Sequence, residues 1–257
     1  MKGSINIAAV SYINTIPFVY GIEHTNESLY ADLTLAVPKE CAELFKSKKV
    51  DIALVPLATT VEFSDFNIVT PYCIASDDVV RTVTLMCDCD LASVERIYLD
   101  SHSRTSVELV KILVKELWKI NPTFVELTDY ELVGQSVGKD AFLLIGDKVF
   151  DFEDKFVNKY DLCKEWMRLT GKPFVFAVWV AQKSVTESQI ETLTKSLAYG
   201  IESIESAVKK QGYKDHKFVV DYLTKNIKFQ LSDDKREGMK LFLRYLEQES
   251  EPSSPFN

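Results

Sequence analysis

An α/β protein built as two sheet-bearing halves is the fold class that this sequence predicts, and three observations carry the prediction. Short apolar runs alternate with helical stretches from the N-terminus onward, the pattern of βαβ units. One run, Ile52-Ala53-Leu54-Val55, is apolar throughout and suits a parallel strand covered on both faces. From Arg96 the same style of unit recurs without an internal repeat, so a second α/β half follows the first.

Each element follows from its residues. Residues 4–10 form a β-like run, polar Ser11-Tyr12-Ile13-Asn14-Thr15 interrupts it, and Pro17 stands near the start of a short helical segment ending at Gly21. Asp32 to Val37 alternates polar and apolar residues, and Pro38 opens a helix in which Ala42, Leu44 and Phe45 can face inward. In the second unit, Arg96 to Asp100, Thr123 to Leu127 and Ala141 to Ile145 read as strands. Thr105 to Trp118 reads as a helix, with Thr105 and Glu108 at capping-box spacing. Tyr160 to Thr170 is helical, Gly171 suits the residue that ends it, and Pro173 stops its continuation. Phe174 to Val180 is a strongly apolar strand in which Phe174, Phe176 and Trp179 read as core. Thr186 to about Lys210 reads as one long amphipathic helix, with helical stretches at 214–226 and 232–249 and a frayed tail after them. Segments 82–90 and 172–182 are the expected crossings between halves. They give a discontinuous first half, residues 1–86 and 177–257, around a second half, residues 87–176.

Composition narrows the partners. The 257 residues, 46% hydrophobic and 26% charged, allow a substantial core in one large domain or two small halves. A net charge of -8 without a Lys/Arg-rich block argues against nucleic acid. No apolar run reaches the ~18 residues of a membrane span, and the N-terminal stretch does not read as a signal peptide, so a cytoplasmic location is expected. Cys41, Cys73, Cys87, Cys89 and Cys163 make an odd set without a disulfide or zinc framework and read as reduced thiols. His24, His102 and His216 are far apart in sequence, so no metal is expected.

Ligands of open sheets gather where strands end and helices begin. Loops at 11–15, 56–60, 76–82, 101–106 and 146–147 all carry small hydroxyl, amide or glycine residues at such ends, which suggests one cleft for a small carboxylate. Ser103, Thr105 and Ser106 either cap the following helix or receive that carboxylate with its free amides. Arg81 and Arg104 are the local cations, serving the ligand or an ion pair. Asp147 can accept amide hydrogen bonds in its loop, His102 reads as a solvated loop residue, and Asp77-Asp78 as a polar turn. Nine scattered glycines form no phosphate cradle, and no G-x-S-x-G elbow is present.

Five motifs in order, SYINTIP at 11–17, DIALVP at 51–56, SRTS at 103–106, LLIGD at 143–147 and PFVFAVW at 173–179, resemble the chorismate dehydratases. The resemblance covers roughly residues 5–182 and, more loosely, the helical tail. It implies the two-lobed type II periplasmic-binding-protein fold with a cleft between lobes. It also implies cofactor-independent loss of water from chorismate to give 3-[(1-carboxyvinyl)oxy]benzoate, the first step of the futalosine route to menaquinone. Asn14 is then the residue expected to hold and polarise the reacting groups, with the substrate's own enolpyruvyl carboxylate as proton acceptor. Ser11, Tyr12, Thr59, Arg81, Thr82, Ser103, Arg104, Thr105, Ser106, Gly146 and Asp147 are the expected substrate-binding residues. The chain departs from the family pattern at Thr82, Cys163 and Asp78-Val79. Two other readings stand beside this one: the sister enzyme that cleaves a cyclic futalosine derivative to a dihydroxynaphthoate, and a solute-binding protein without chemistry.

Overall fold

Residues 4–25, 29–135 and 138–250 are described by the computed structural model; the tail from Glu251 expected to fray lies outside them. The N-terminal elements are β1 (Ile5–Val10), α1 (Ile16–His24), β2 (Ala31–Ala36), α2 (Pro38–Lys46), β3 (Ile52–Pro56) and β4 (Phe66–Ser76). Next come β5 (Val83–Cys87), β6 (Arg96–Leu99), α3 (Arg104–Ile112), β7 (Thr123–Glu126), β8 (Asp140–Ile145), α4 (Val149–Phe152), β9 (Asn158–Asp161) and α5 (Leu162–Thr170). The chain closes with β10 (Phe174–Gln182), α6 (Glu187–Glu202), α7 (Ile204–Gln211), α8 (His216–Asp221), β11 (Lys228–Gln230) and α9 (Asp233–Ser250).

Two mixed sheets result. The first has the order β11-β4-β10-β3-β1-β2, the second β7-β6-β8-β5-β9. β1 lies parallel to β2 and β3, whereas β10 returns antiparallel between β3 and β4. β3 is buried along its whole length, as its composition predicts, but only one of its two neighbours is parallel. β10, the most apolar strand, fills the centre of the first sheet and takes Trp179 into a cluster with Phe18 at 5.7 Å. Phe18 also meets Phe229 of β11 at 5.2 Å, so the C-terminal segment closes the core of the first sheet. α1 crosses α6 at glycines: a Cβ on Gly21 would fall on the Ser196 carbonyl and one on Gly200 on the Pro17 carbonyl, which only hydrogen atoms permit.

Several expectations are corrected. β5 belongs to the second sheet and β10 to the first, so the chain passes between sheets at 77–82 and 171–173. Limits at 86/87 and 176/177 therefore cut through β5 and β10. β4 is an eleven-residue strand that the sequence hides, because Thr70, at φ 68, and Pro71 interrupt its alternation. β9 occupies the start of the stretch expected to be helical from Tyr160, and Asp161 caps α5 through the amides of Cys163 and Lys164. The long helix from Thr186 breaks at Ser203 into α6 and α7. The box expected at Thr105 and Glu108 does not form: Ser103 is the N-cap residue, and the Thr105 hydroxyl accepts from the Ala58 amide at 2.9 Å across the sheets. The true capping box joins Thr186 and Gln189.

Candidate active site

Where the strands of both sheets end, a cavity with an empty volume of about 500 Å³, part of it open to solvent, lies between them. Val10, Pro38, Pro56, Ile74, Val80, Val83, Ile145, Phe176 and Ala177 supply apolar walls, and Tyr12, Asn14, Thr15, Thr82, Ser103, Ser106 and Gly146 supply its polar and small positions. Asn14 lies in the turn Ile13–Thr15 between β1 and α1, and its Oδ1 accepts from the Thr15 hydroxyl at 3.0 Å. Thr82, at the end of the first passage between sheets, is buried with its hydroxyl 2.8 Å from the Tyr222 phenol. Burial pushes the pKa of that phenol upward, against the lowering effect of Thr82 and Asn14, so it remains neutral. Tyr222 opens a π-helical turn, Tyr222–Asn226, a local widening common at functional sites.

Ser103 and Ser106 sit at the start of α3, 3.4 Å apart between hydroxyls, facing the cavity from the second sheet. Gly146 adopts φ 71, and the Tyr12 ring packs 2.9 Å from where its Cβ would be, so the tyrosine lies against bare backbone. Burial raises the Tyr12 pKa, with the charges of Asp100 and Asp147 adding to the effect. Behind Tyr12 is a polar corner that sequence reasoning missed. Asp100, fully buried at the end of β6, binds Lys148 Nζ at 2.7 Å; the same ammonium reaches the Tyr130 hydroxyl at 2.6 Å and His102 Nδ1 at 3.3 Å. His102, a partly exposed loop residue as expected, also touches this corner, its Nδ1 standing 3.5 Å from the Tyr12 hydroxyl.

The remaining expected residues do different work. Asp147 turns both carboxylate oxygens to the Ile13 amide, at 3.1 Å each, in place of the cavity. Burial pushes its pKa from 3.8 up to about 6, against the opposing effect of that amide. Arg81 adopts φ 66, donates to Glu153 at 3.0 Å and lies between the rings of Phe150 and Phe218, so it ties elements together and does not line the cavity. Arg104 pairs with Glu62, and with Thr59 it lines a separate hollow beside α2. The Thr59 hydroxyl donates to the Pro56 carbonyl at 2.7 Å, Thr105 is consumed by Ala58, and Ser11 is exposed outside the cavity lining. Tyr222 carried no signal in the sequence, because its hydroxyl acquires meaning only when a helix 208 positions after Asn14 folds back.

Two mixed sheets facing each other across a cleft define a protein with the periplasmic-binding-protein fold. The *Candida albicans* CA3427 gene product, described as having that generic fold, superposes with a TM-score of 0.69 at 13% identity, covering 98% of this chain and 92% of that one. A crystal structure from *Archaeoglobus fulgidus* superposes with a TM-score of 0.74 at 13% identity over 96% and 97% of the two chains. The chain belongs to the menaquinone biosynthesis family, whose model matches residues 5–248. It is 26% identical over 236 residues to the chorismate dehydratase of *Thermus thermophilus*, spanning 82% of this chain and 85% of the relative. The family resemblance read from the five motifs is thereby borne out.

Proposed function

We propose that the protein converts chorismate to 3-[(1-carboxyvinyl)oxy]benzoate and water, as the first step of the futalosine route, in the cytoplasm. The observation that carries the reading is the composition of the cavity: an amide, Asn14, and neutral hydroxyls set among apolar walls. Elimination removes a proton from the ring carbon that bears the ether and hydroxide from its neighbour. The electron pair of the broken C–H bond completes the aromatic ring, which supplies most of the driving force. The enzyme then has mainly to orient the substrate, and positioning is an effective source of rate.

Asn14, held by the Thr15 hydroxyl and close to Tyr222, is suited to polarise the leaving hydroxyl. Ser103, Ser106 and the first amides of α3 are suited to a substrate carboxylate. The enolpyruvyl carboxylate, held over the ring, takes the proton, in keeping with walls that offer amide and hydroxyl groups. Free thiols at Cys41, Cys73, Cys87, Cys89 and Cys163 fit a reducing compartment.

The test is to incubate metal-chelated protein with chorismate and follow the products by mass spectrometry beside a protein-free control. Loss of one water to the enolpyruvyloxy-benzoate is expected, and unchanged chorismate would overturn the reading in favour of the sister reaction or ligand binding alone. Asn14→Ala is expected to fold and to lose about 100-fold or more in turnover, the scale of removing a polarising contact.

A further inference from the structure

Asn14 sits in a turn that its own neighbours do not cap. The turn Ile13–Thr15 runs into α1, and neither Tyr12 nor Thr15, at the two N-terminal boundaries, gives a side-chain cap. The first amides of such a segment are orphan donors. The Ile13 amide is met by both oxygens of a carboxylate 134 positions later, just beyond the end of β8 in the other sheet.

We infer that Asp147 is a positioning residue for Asn14: a carboxylate cap, delivered by the second sheet, that fixes the Asn14 turn only while the two sheets are held together. What Asn14 does rests on the chorismate reading, whereas the cap itself does not. Gly146 makes the delivery possible, because its left-handed backbone lets the loop close on the Tyr12 ring and bring the next residue to the Ile13 amide. An ionised carboxylate accepts more strongly than a protonated one, and it complements the positive end of the turn and helix.

The charge state of this cap changes near neutrality. Burial, assisted by Asp151, pushes the Asp147 pKa up to about 6, while the Ile13 amide and Lys148 oppose it. From the elements packed around it, the phenols of Tyr12, Tyr213 and Tyr222 feel the charge of Asp147. All three phenols are pushed upward by burial, so they stay neutral where the carboxyl changes charge. As pH falls through about 6 the cap weakens, and Asn14 loses its fixed position.

Two measurements on the full chain test this. In ¹⁵N-labelled protein the Ile13 amide shift is expected to titrate near pH 6, and in Asp147→Asn, whose amide oxygen still accepts but cannot ionise, to stay flat. With chorismate, kcat is expected to rise with pH through the same value. In Asp147→Asn it should be flat over that range and a few-fold lower at pH 8, and in Asp147→Ala about tenfold lower with a smaller change in KM, the scale of losing a cap. An Ile13 amide that ignores the Asp147 titration, or a kcat that falls as pH rises through 6, would overturn the inference. If the protein does not turn over chorismate at any pH, the proposed reaction fails, and the amide titration alone decides the cap.

Discussion

The corner around Asp100 and the corner around Asp147 lie at neighbouring strand ends of the second sheet, yet they handle a carboxylate in opposite ways. Asp100 is fully buried and meets an ammonium, Lys148 at 2.7 Å, together with the amides of His102 and Ile145. Asp147 is partly buried and its carboxylate meets a neutral amide. A buried charge met by an opposite charge is held as an ion pair, whereas Asp147 is held by a neutral donor and burial raises its pKa. Arg81 with Glu153 is a third, looser case, an ion pair about a third exposed on each side. The lesson is one of placement: compensated charge supports the walls of the cavity, neutral amides and hydroxyls face into it, and the titratable group stands behind the turn that carries Asn14.

The largest expected effect comes from breaking the closed corner. Lys148→Met removes the ammonium partner of a buried carboxyl and should destabilise the protein by about 3–5 kcal/mol in urea unfolding. Adding Asp100→Asn should recover much of that loss; a single variant within about 1 kcal/mol of wild type would show that the ion pair does not brace the corner.

The other corner makes a prediction with the sign reversed from most acids. A carboxyl whose folded pKa stands above its unfolded value favours the fold at low pH, and that contribution is lost as pH rises through the folded value. Asp147, moved from 3.8 to about 6, should therefore contribute a stability present below pH 4 and gone by pH 7. The difference between Asp147→Asn and wild type should shift in favour of the variant by roughly 1–3 kcal/mol across that window. Equal pH dependence of the two proteins, by thermal or urea unfolding, would refute the assignment. Stability and turnover thus run oppositely with pH at one residue, as expected where a site retains an unfavourable charge for function.

The smallest effect belongs to Arg81. Its ion pair and two ring contacts are partly solvated, so Arg81→Ala should cost about 1 kcal/mol and leave the Ile13 amide titration untouched. A shift in that titration would mean that the passage at 77–82 and the Asn14 turn are coupled, and the separation of the regions would have to be redrawn.

Much of the fold was legible because its signals are local. The buried run at 52–55, the prolines opening α1 and α2, and Gly171 in the left-handed conformation after α5 each act within a few residues. The cavity residues that the loops announced, Tyr12, Asn14, Thr82, Ser103, Ser106 and Gly146, were legible for the same reason: they stand beside strand ends and helix starts. Thr105 and Arg104 have the same local credentials, yet one hydroxyl is taken by Ala58 and one guanidinium by Glu62.

By itself, then, the sequence determined an α/β chain, the order of most strands and helices, and the loops from which a site could be assembled. These depend on side-chain periodicity, caps and turn residues, whose energies are set between near neighbours. Only the tertiary structure decided that β10 enters the first sheet antiparallel beside β4, that Tyr222 reaches Thr82, and that Asp147 caps Ile13. Those pairings join residues about a hundred or more positions apart. Closing such a loop costs entropy that no local pattern reveals, and the partner is chosen by what else the packed sheets bring to the same point.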